Sequence, residues 1–325
     1  MIRTKNMIRT KNMTHAKNMT RMRKKKSFTV FDAVNYTLLA LFGFSTLYPF
    51  IYILAYSFNE GIDAMRAPIY FWPRQFTWEN YEAVFKDSNI LSAYRITIAR
   101  TVIGTTLHVF LCMLMAYGLS KKTLPGRTFF TFFIFFPTLF SGGFIPYFIL
   151  IRDIGLYNSF WVYIIPGLYS FFHIIVIRTF LASIPAELEE SARIDGYGDF
   201  MVFMRIILPL SGPVLAAIAL FSGVGHWNDW FTGSYFVSNK NLIPVQTLLN
   251  DLLTQSEALA KAADNAMERG GGTTVMMYEA QKRAQATPES LRMATLVLAT
   301  FPILMVYPFL QKYFVKGVLI GSIKG

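Results

Sequence analysis

The sequence predicts an all-α polytopic membrane protein with six transmembrane helices, and three observations carry that prediction. Of the 325 residues, 54% are hydrophobic and only 15% charged, far below the ~25% charge of a soluble domain. Six apolar runs stand out, each of roughly twenty residues and so able to cross about 30 Å of hydrocarbon as a helix. Cationic residues gather at alternate ends of those runs, on what the positive-inside bias makes the cytoplasmic side.

The N-terminal tail comes first. Residues 1–26 hold ten Lys/Arg and no acid, leaving only +2 of the +12 net charge for the other 299 residues. Charge concentrated beside an apolar segment argues for a cytoplasmic N-terminus and against a nucleic-acid partner. Within this tail (1–28), Met1–Asn6 and Met7–Asn12 are identical and Met13–Asn18 is a variant of them. These hexapeptides lack an apolar face and are too short for a solenoid, so the tail is expected to be disordered.

The six-helix domain is expected over 29–325, with spans near 37–57, 101–119, 128–150, 160–178, 210–231 and 293–314. No signal-peptide cleavage pattern precedes the first. Lys121, Lys122 and Arg127 fall on one side together with the tail and with Lys312, Lys316 and Lys324. The other side is balanced: 59–95 holds five acids and four bases, and 232–290 holds six acids and five bases. Both termini and the 179–209 loop are therefore expected in the cytoplasm. Two outer segments exceed the length of turns. Phe71-Trp72-Pro73 and Trp78-Glu79-Asn80-Tyr81 suit a ledge at the membrane surface. A helix is expected from Val245 to Arg269, then a hinge at Gly270-Gly271-Gly272 and a second helix near Tyr278–Ala284. Both segments read as solvated connectors or as docking surfaces for an extracytoplasmic partner, and the length of the second favours docking.

The 179–209 loop carries the densest local signals. Pro185 suits a first helical turn, and Glu187, Glu189 and Glu190 follow near the positive end of the helix dipole. Glu189 and Arg193 are four apart in the stabilising order. Gly196 can take the left-handed conformation that ends a helix. Asp199 can cap the next helix, whose apolar run continues to Pro209. The expected product is a rigid elbow that carries motion from a soluble partner into the bilayer.

Here a family resemblance enters. Glu190-Ser191-Ala192, three residues, Gly196, nine residues, then Ile206-Ile207-Leu208-Pro209 resembles the EAA loop of ABC-importer permeases, with Ser191 replacing the first Ala. Ala116-Tyr117-Gly118-Leu119-Ser120 with Pro125-Gly126-Arg127 is similar to sugar-importer permeases. So are Phe140-Ser141-Gly142-Gly143-Phe144-Ile145-Pro146, Gly155-Leu156-Tyr157-Asn158-Ser159, Trp227-Asn228-Asp229 and the C-terminal Lys316–Gly325. The likeness covers roughly 30–325. It implies a MalG-like carbohydrate-importer permease of the MetI-like, type I ABC importer fold. It further implies a heterodimer with a second homologous permease, two copies of a cytoplasmic ABC ATPase, and an extracytoplasmic solute-binding protein delivering an oligosaccharide. Through the same resemblance Glu190–Gly196 is the coupling helix, and the ATPase-coupling set is Glu190, Ser191, Ala192, Asp195, Gly196, Ile206, Leu208 and Pro209. ATP and Mg are expected on the partner ATPase, with no cofactor on this chain.

The remaining motifs agree with that division of labour. No Gly-x-x-x-x-Gly-Lys-Ser/Thr occurs, and the triple glycine at 270–272 lacks the Lys-Ser/Thr sequel that would cradle phosphates. His15, His108, His173 and His226 show no metal-ligand spacing. His108 and His173 lie inside spans, where a bundle-interior hydrogen bond is a better reading than a proton relay. Cys112 is a small lipid-phase side chain. Asp195-Gly-Tyr-Gly-Asp199 looks like a calcium loop but lacks its later bidentate Glu. Trp227, Asn228 and Asp229 are the candidate substrate pathway, since a sugar needs a flat apolar ring to stack on and amide or carboxylate groups for its hydroxyls. Trp230 shares the Trp227 face and suits an interface anchor. An ion-gradient-driven secondary transporter would bury acids mid-span and break helices in both halves, yet the span centres are almost free of acids. An intramembrane enzyme would need a nucleophile–base or metal constellation, and none is visible.

Overall fold

The computed structural model describes residues 29–86, 88–252, 254, 287 and 289–305. The expected tail, the Gly270–Gly272 hinge and the Tyr278–Ala284 stretch lie outside the described residues. The chain divides into two units, one through Ile51 and one from Tyr52.

Helix α1 (Val30–Ser57) begins in the first unit at a reciprocal cap and ends in the second. The Thr29 hydroxyl accepts from the Asp32 amide at 3.2 Å, and the Asp32 carboxylate accepts from the Thr29 amide at 3.0 Å, so two helix-end donors are satisfied together. Leu38, Leu39, Phe42 and Leu47 are all exposed. Large apolar side chains exposed along this stretch of the helix are the pattern of a lipid-facing span.

The second unit is organised around α4 (Ser88–Ser120), preceded by two short helices, α2 (Gly61–Arg66) and α3 (Glu79–Lys86). At 1.5 Å per residue α4 runs about 50 Å, longer than the expected span 101–119 because the helix continues through its polar N-terminal turns. Its Cys112, Met113, Ala116, Tyr117 and Leu119 face the largest core. That core is completed by α7 (Phe171–Leu181), α8 (Glu187–Ile194), a helical run α9 (Asp199–Leu210) and α10 (Gly212–Asn228).

Helices α1 and α4 are each long and apolar enough to cross a membrane alone, and two bent pairs raise the number to four. Three expected spans are interrupted in the structure, two of them at these bends. The run 128–150 is interrupted: α5 (Arg127–Phe135) tightens into a 3-10 turn at Phe136–Thr138, the chain opens at Gly142-Gly143, and α6 (Phe144–Asp153) follows. Pro137 lacks an amide for continued helix, and two glycines in succession favour the open chain. The run 160–178 consists of 3-10 turns to Gly167, a break, and then α7 at 50° to them, with Pro166 at the discontinuity. The run 210–231 starts at α10, set at 78° to α9 across Ser211, where Pro213 lies in the first turn of α10. It ends at Asn228, and a short α11 (Phe231–Phe236) follows. Of the outer helix expected over Val245–Arg269, 245–252 is observed as α12, and the sixth expected span is helical over 289–305 as α13.

Residues 59–80 are an ordered knot rather than a loose connector. The Asn59 side-chain oxygen accepts from the amides of Arg74 and Gln75 at 2.7 and 2.9 Å, while its amide nitrogen donates to Asp63 at 2.9 Å. The Arg74 guanidinium bonds the Asp63 carboxylate at 3.0 Å and the carbonyls of Asp63, Ala67 and Pro68. Phe58, Phe76, Trp78 and Tyr81 pack ring on ring beside it.

The Asn59 amide, aided by Arg74, holds the Asp63 carboxyl below the ordinary carboxylate range. A carboxyl with a depressed folded pKa stabilises above its unfolded value and loses that contribution as pH falls through the folded one. Amide-exchange protection of 59–76 should therefore fall on acidification below the ordinary carboxylate range, and Asp63→Asn should flatten the dependence. An unchanged acid limb in Asp63→Asn would assign the pH response elsewhere.

Candidate functional site

Helix α8 and the following elbow form the first candidate site. Three acids, Glu187, Glu189 and Glu190, occupy its first turn, where the dipole favours them. Pro185 lies just before the Ala186 N-cap rather than inside the helix. At the other end Gly196 has φ +86°. The Tyr197 amide donates to Ala192 O and the Gly196 amide to Arg193 O, both at 3.0 Å. Those are the 6→1 and 5→2 bonds of a Schellman end. An L-residue at Gly196 would meet a left-handed penalty of roughly 1–2 kcal/mol.

The charge pairing differs from the expected Glu189–Arg193 contact within the helix. Glu189 instead pairs with Lys121 at the end of α4, and Lys121 also lies 4.1 Å above the Tyr117 ring. Arg193 pairs with Asp199 across the break at 2.7 Å. Long-range partners win because each ties α8 to a neighbouring element, whereas the helical pair would tie it only to itself. The cap of α9 is Gly198, with Asp199 as the first helical residue. A π turn at Phe203–Ile207 then leads into Leu208–Leu210. This turn brings Phe203 and Ile207 fully into the core beside Ala192.

The expected coupling residues thus fall into two groups. Ala192 is buried in the chain's own core, and Ile206 and Leu208 pack against that core. Glu190, Ser191, Asp195, Gly196 and Pro209 are exposed. Ala192 therefore anchors the elbow internally and does not present itself to a partner. Sequence reasoning missed Ile194, which is 86% exposed. An isoleucine beside Asp195 at the end of an acidic helix was the available signal.

The second site lies where α10 ends. Trp227 turns inward, 9% exposed, and its indole donates to Ala299 O of α13 at 2.9 Å. This packing occupies the ring expected to stack on substrate. Asn228 is exposed and Trp230 partly so. Asp229 leaves the helical conformation, and its Oδ1 accepts the Thr232 amide at 3.1 Å. Arg100 of α4, with no exposed side-chain surface, reaches across to this break. It bonds Asp229 Oδ2 at 3.4 Å, Asp229 O at 2.5 Å and Trp227 O at 3.5 Å, and stacks 5.0 Å from the Tyr163 ring centre. Asp229 is thus a paired structural acid rather than a free ion carrier. No sequence signal linked 100 to 229.

Between the two sites the histidines meet. His108 Nδ1 lies 2.7 Å from Gly167 O, and His108 Nε2 lies 2.7 Å from His173 Nδ1. A carbonyl can only accept, so Nδ1 of His108 carries the proton, and Nε2 receives one from His173. This is the bundle-interior hydrogen bond expected of both residues. Among the described residues no group of three or more His, Cys, Asp or Glu could hold a metal.

Comparison with known proteins adds the following. A family model described as "Binding-protein-dependent transport system inner membrane component" matches residues 108–320. Protein LplC of Bacillus subtilis is 37% identical over 304 residues, covering 94% of this chain and 98% of that one. The polygalacturonan/rhamnogalacturonan transport system permease protein YtcP of the same organism is 36% identical, covering 91% and 99%. A chain from the crystal structure of a bacterial ABC transporter involved in the import of the acidic polysaccharide alginate superposes with a TM-score of 0.76. It is 30% identical, with coverage of 89% of this chain and all of that one.

Breaking the outer pair should be costly. Arg100→Met leaves Asp229 Oδ2 and two carbonyls without the guanidinium, while Thr232 still serves Oδ1. With Asp229 30% exposed the loss is about 1.5–3 kcal/mol, whereas Arg100→Lys keeps the charge and should cost less. Thermal unfolding of the purified protein reads both, and an Arg100→Met variant that melts with the parent would remove Arg100 from this role.

Proposed function

We infer function from one premise: the chain belongs to the family of binding-protein-dependent transport system inner membrane components. It is a transporter membrane subunit and not an enzyme. We propose that it is the permease subunit of an ATP-driven importer for an oligosaccharide delivered by an extracytoplasmic binding protein. The observation carrying this reading is the elbow, which falls inside the matched region 108–320. There a short acidic helix exposes Ser191 and Ile194 outward and buries Ala192 inward against α4, α7, α9 and α10.

In this reading the chain crosses the membrane six times with both termini in the cytoplasm. It pairs with a homologous permease, and α8 seats on one of two copies of a cytoplasmic ATPase that binds ATP and Mg. The exposed row Glu190, Ser191, Ile194 and Asp195 contacts the ATPase. A push on that row is passed on by Ala192 and by the Lys121–Glu189 and Arg193–Asp199 pairs. The relatives that carry polygalacturonan/rhamnogalacturonan and the acidic polysaccharide alginate favour an oligosaccharide from such polymers. Asn228, exposed at the end of α10, is the hydroxyl-bonding residue of the pathway. Asp229 is held beside it by Arg100, and Trp227 serves the pathway by fixing α10 against α13.

Coupling is tested by Ile194→Asp and Gly196→Val in the reconstituted transporter. Each should assemble yet lose most substrate-stimulated ATP hydrolysis, Ile194→Asp by removing the apolar contact and Gly196→Val by straining the left-handed turn. Full stimulation in both would exclude α8 as the transmission element.

Asn228→Leu should lower uptake of the oligosaccharide while assembly and basal ATP hydrolysis stay at the parent level. Uptake kinetics that match the parent would take Asn228 out of the pathway.

A further inference from the structure

One groove on this molecule has no role in the reading above. A cavity of ≈ 530 Å³ opens between α5 and α7, with an apolar wall of Phe132, Phe135 and Phe171 and with Arg127 and Arg178 at its rim. A second cavity, of ≈ 790 Å³, adjoins it through the same two arginines and extends to Lys121, Lys122 and Glu189. Both arginines are half-buried. Arg127 uses Nε to donate to Leu119 O at 2.9 Å, closing the end of α4, and its side chain lines both cavities. Among the described residues neither arginine has a carboxylate partner. The one acid lining either cavity, Glu189, is already paired with Lys121.

Two like charges thus line one groove with three phenylalanines, and among the described residues lining it no acid is left unpaired. Guanidinium groups bind phosphate oxygens bidentately, and clustered cations between helices on the cytoplasmic side suit phospholipid head groups. A free phosphate would answer the arginines alone and leave the apolar wall of three phenylalanines without an occupant. We propose that the groove holds one anionic phospholipid of the cytoplasmic leaflet, its phosphate between Arg127 and Arg178 and an acyl chain along Phe132, Phe135 and Phe171. Because the adjoining cavity reaches Glu189 of α8, the lipid would occupy the hinge between the elbow and α4. The proposal rests on the cytoplasmic placement given above. Lipid retention is read on the mass of this chain and needs no transport, so a failed importer assignment and a failed lipid site give different results.

The test is native mass spectrometry of the assembled transporter in detergent, supplied with dioleoylphosphatidylglycerol or dioleoylphosphatidylcholine. This subunit should leave the complex carrying one phosphatidylglycerol and not the choline lipid. R178Q should lower the retained fraction about fivefold, and R178K should be intermediate because it keeps the charge without the fork. R127Q should act in the same direction, but R178Q is decisive, since Arg178 closes no helix end and the subunit ratio in the spectrum reports assembly. Three outcomes would overturn the site: equal retention of the two lipids, unchanged retention in R178Q, or displacement by millimolar inorganic phosphate. Retention by the isolated chain but not within the complex would give the groove to a partner protein and overturn it equally.

Discussion

Backbone carbonyls freed inside an apolar environment need donors, and this chain breaks its helices repeatedly where water is scarce. A broken helix in hydrocarbon is tolerated only where protein re-satisfies the exposed groups. Here polar side chains from neighbouring elements do so one by one. Arg100 serves the end of α10 at Trp227 and Asp229. His108 serves Gly167 at the break before α7, Arg127 serves Leu119 at the end of α4, and where α9 turns into α10 Ser211 donates both its own amide and its hydroxyl to Ile207 O. Three of these four donors belong to α4 or reach its end, so this helix is the post on which the breaks are hung.

That arrangement explains why the elbow can be rigid. Helix α8 has eight residues, too few to be stable alone in water. It is fixed by Ala192 in the main core, by the Schellman turn at Gly196, and by ion pairs to Lys121 and Asp199. Partly exposed pairs of this kind contribute at most ~1 kcal/mol each. Their value lies in orientation, with the core supplying the energy. A partner acting on the outer face of α8 therefore acts on α4, α7, α9 and α10 together.

Close approach between helices is equally exacting at one point. A Cβ on Gly104 would stand 2.5 Å from Nε2 of His226, so any larger residue on α4 there would displace the imidazole of α10. The imidazole fills the space, and Arg100 closes the same contact one turn away. Small residue, ring and guanidinium together set how α10 leans on α4, and with it where Asn228 emerges.

Much of this molecule was legible in the chain itself. Apolar runs and basic flanks announced helices in a membrane, because hydrocarbon demands such composition irrespective of packing. The left-handed turn at Gly196 followed from local backbone chemistry, and the spacing from Glu190 to Pro209 pointed to the family. Tertiary structure alone decided the rest. Apolar content cannot distinguish a continuous span from one interrupted at Pro137, Pro166 or Ser211, since both bury the same residues. It cannot foretell that Glu189 prefers Lys121 to Arg193, that Trp227 turns toward Ala299, or that Arg100 finds Asp229 129 positions away. Those choices depend on which donor lies within reach of which orphaned acceptor, and reach is a property of the folded bundle.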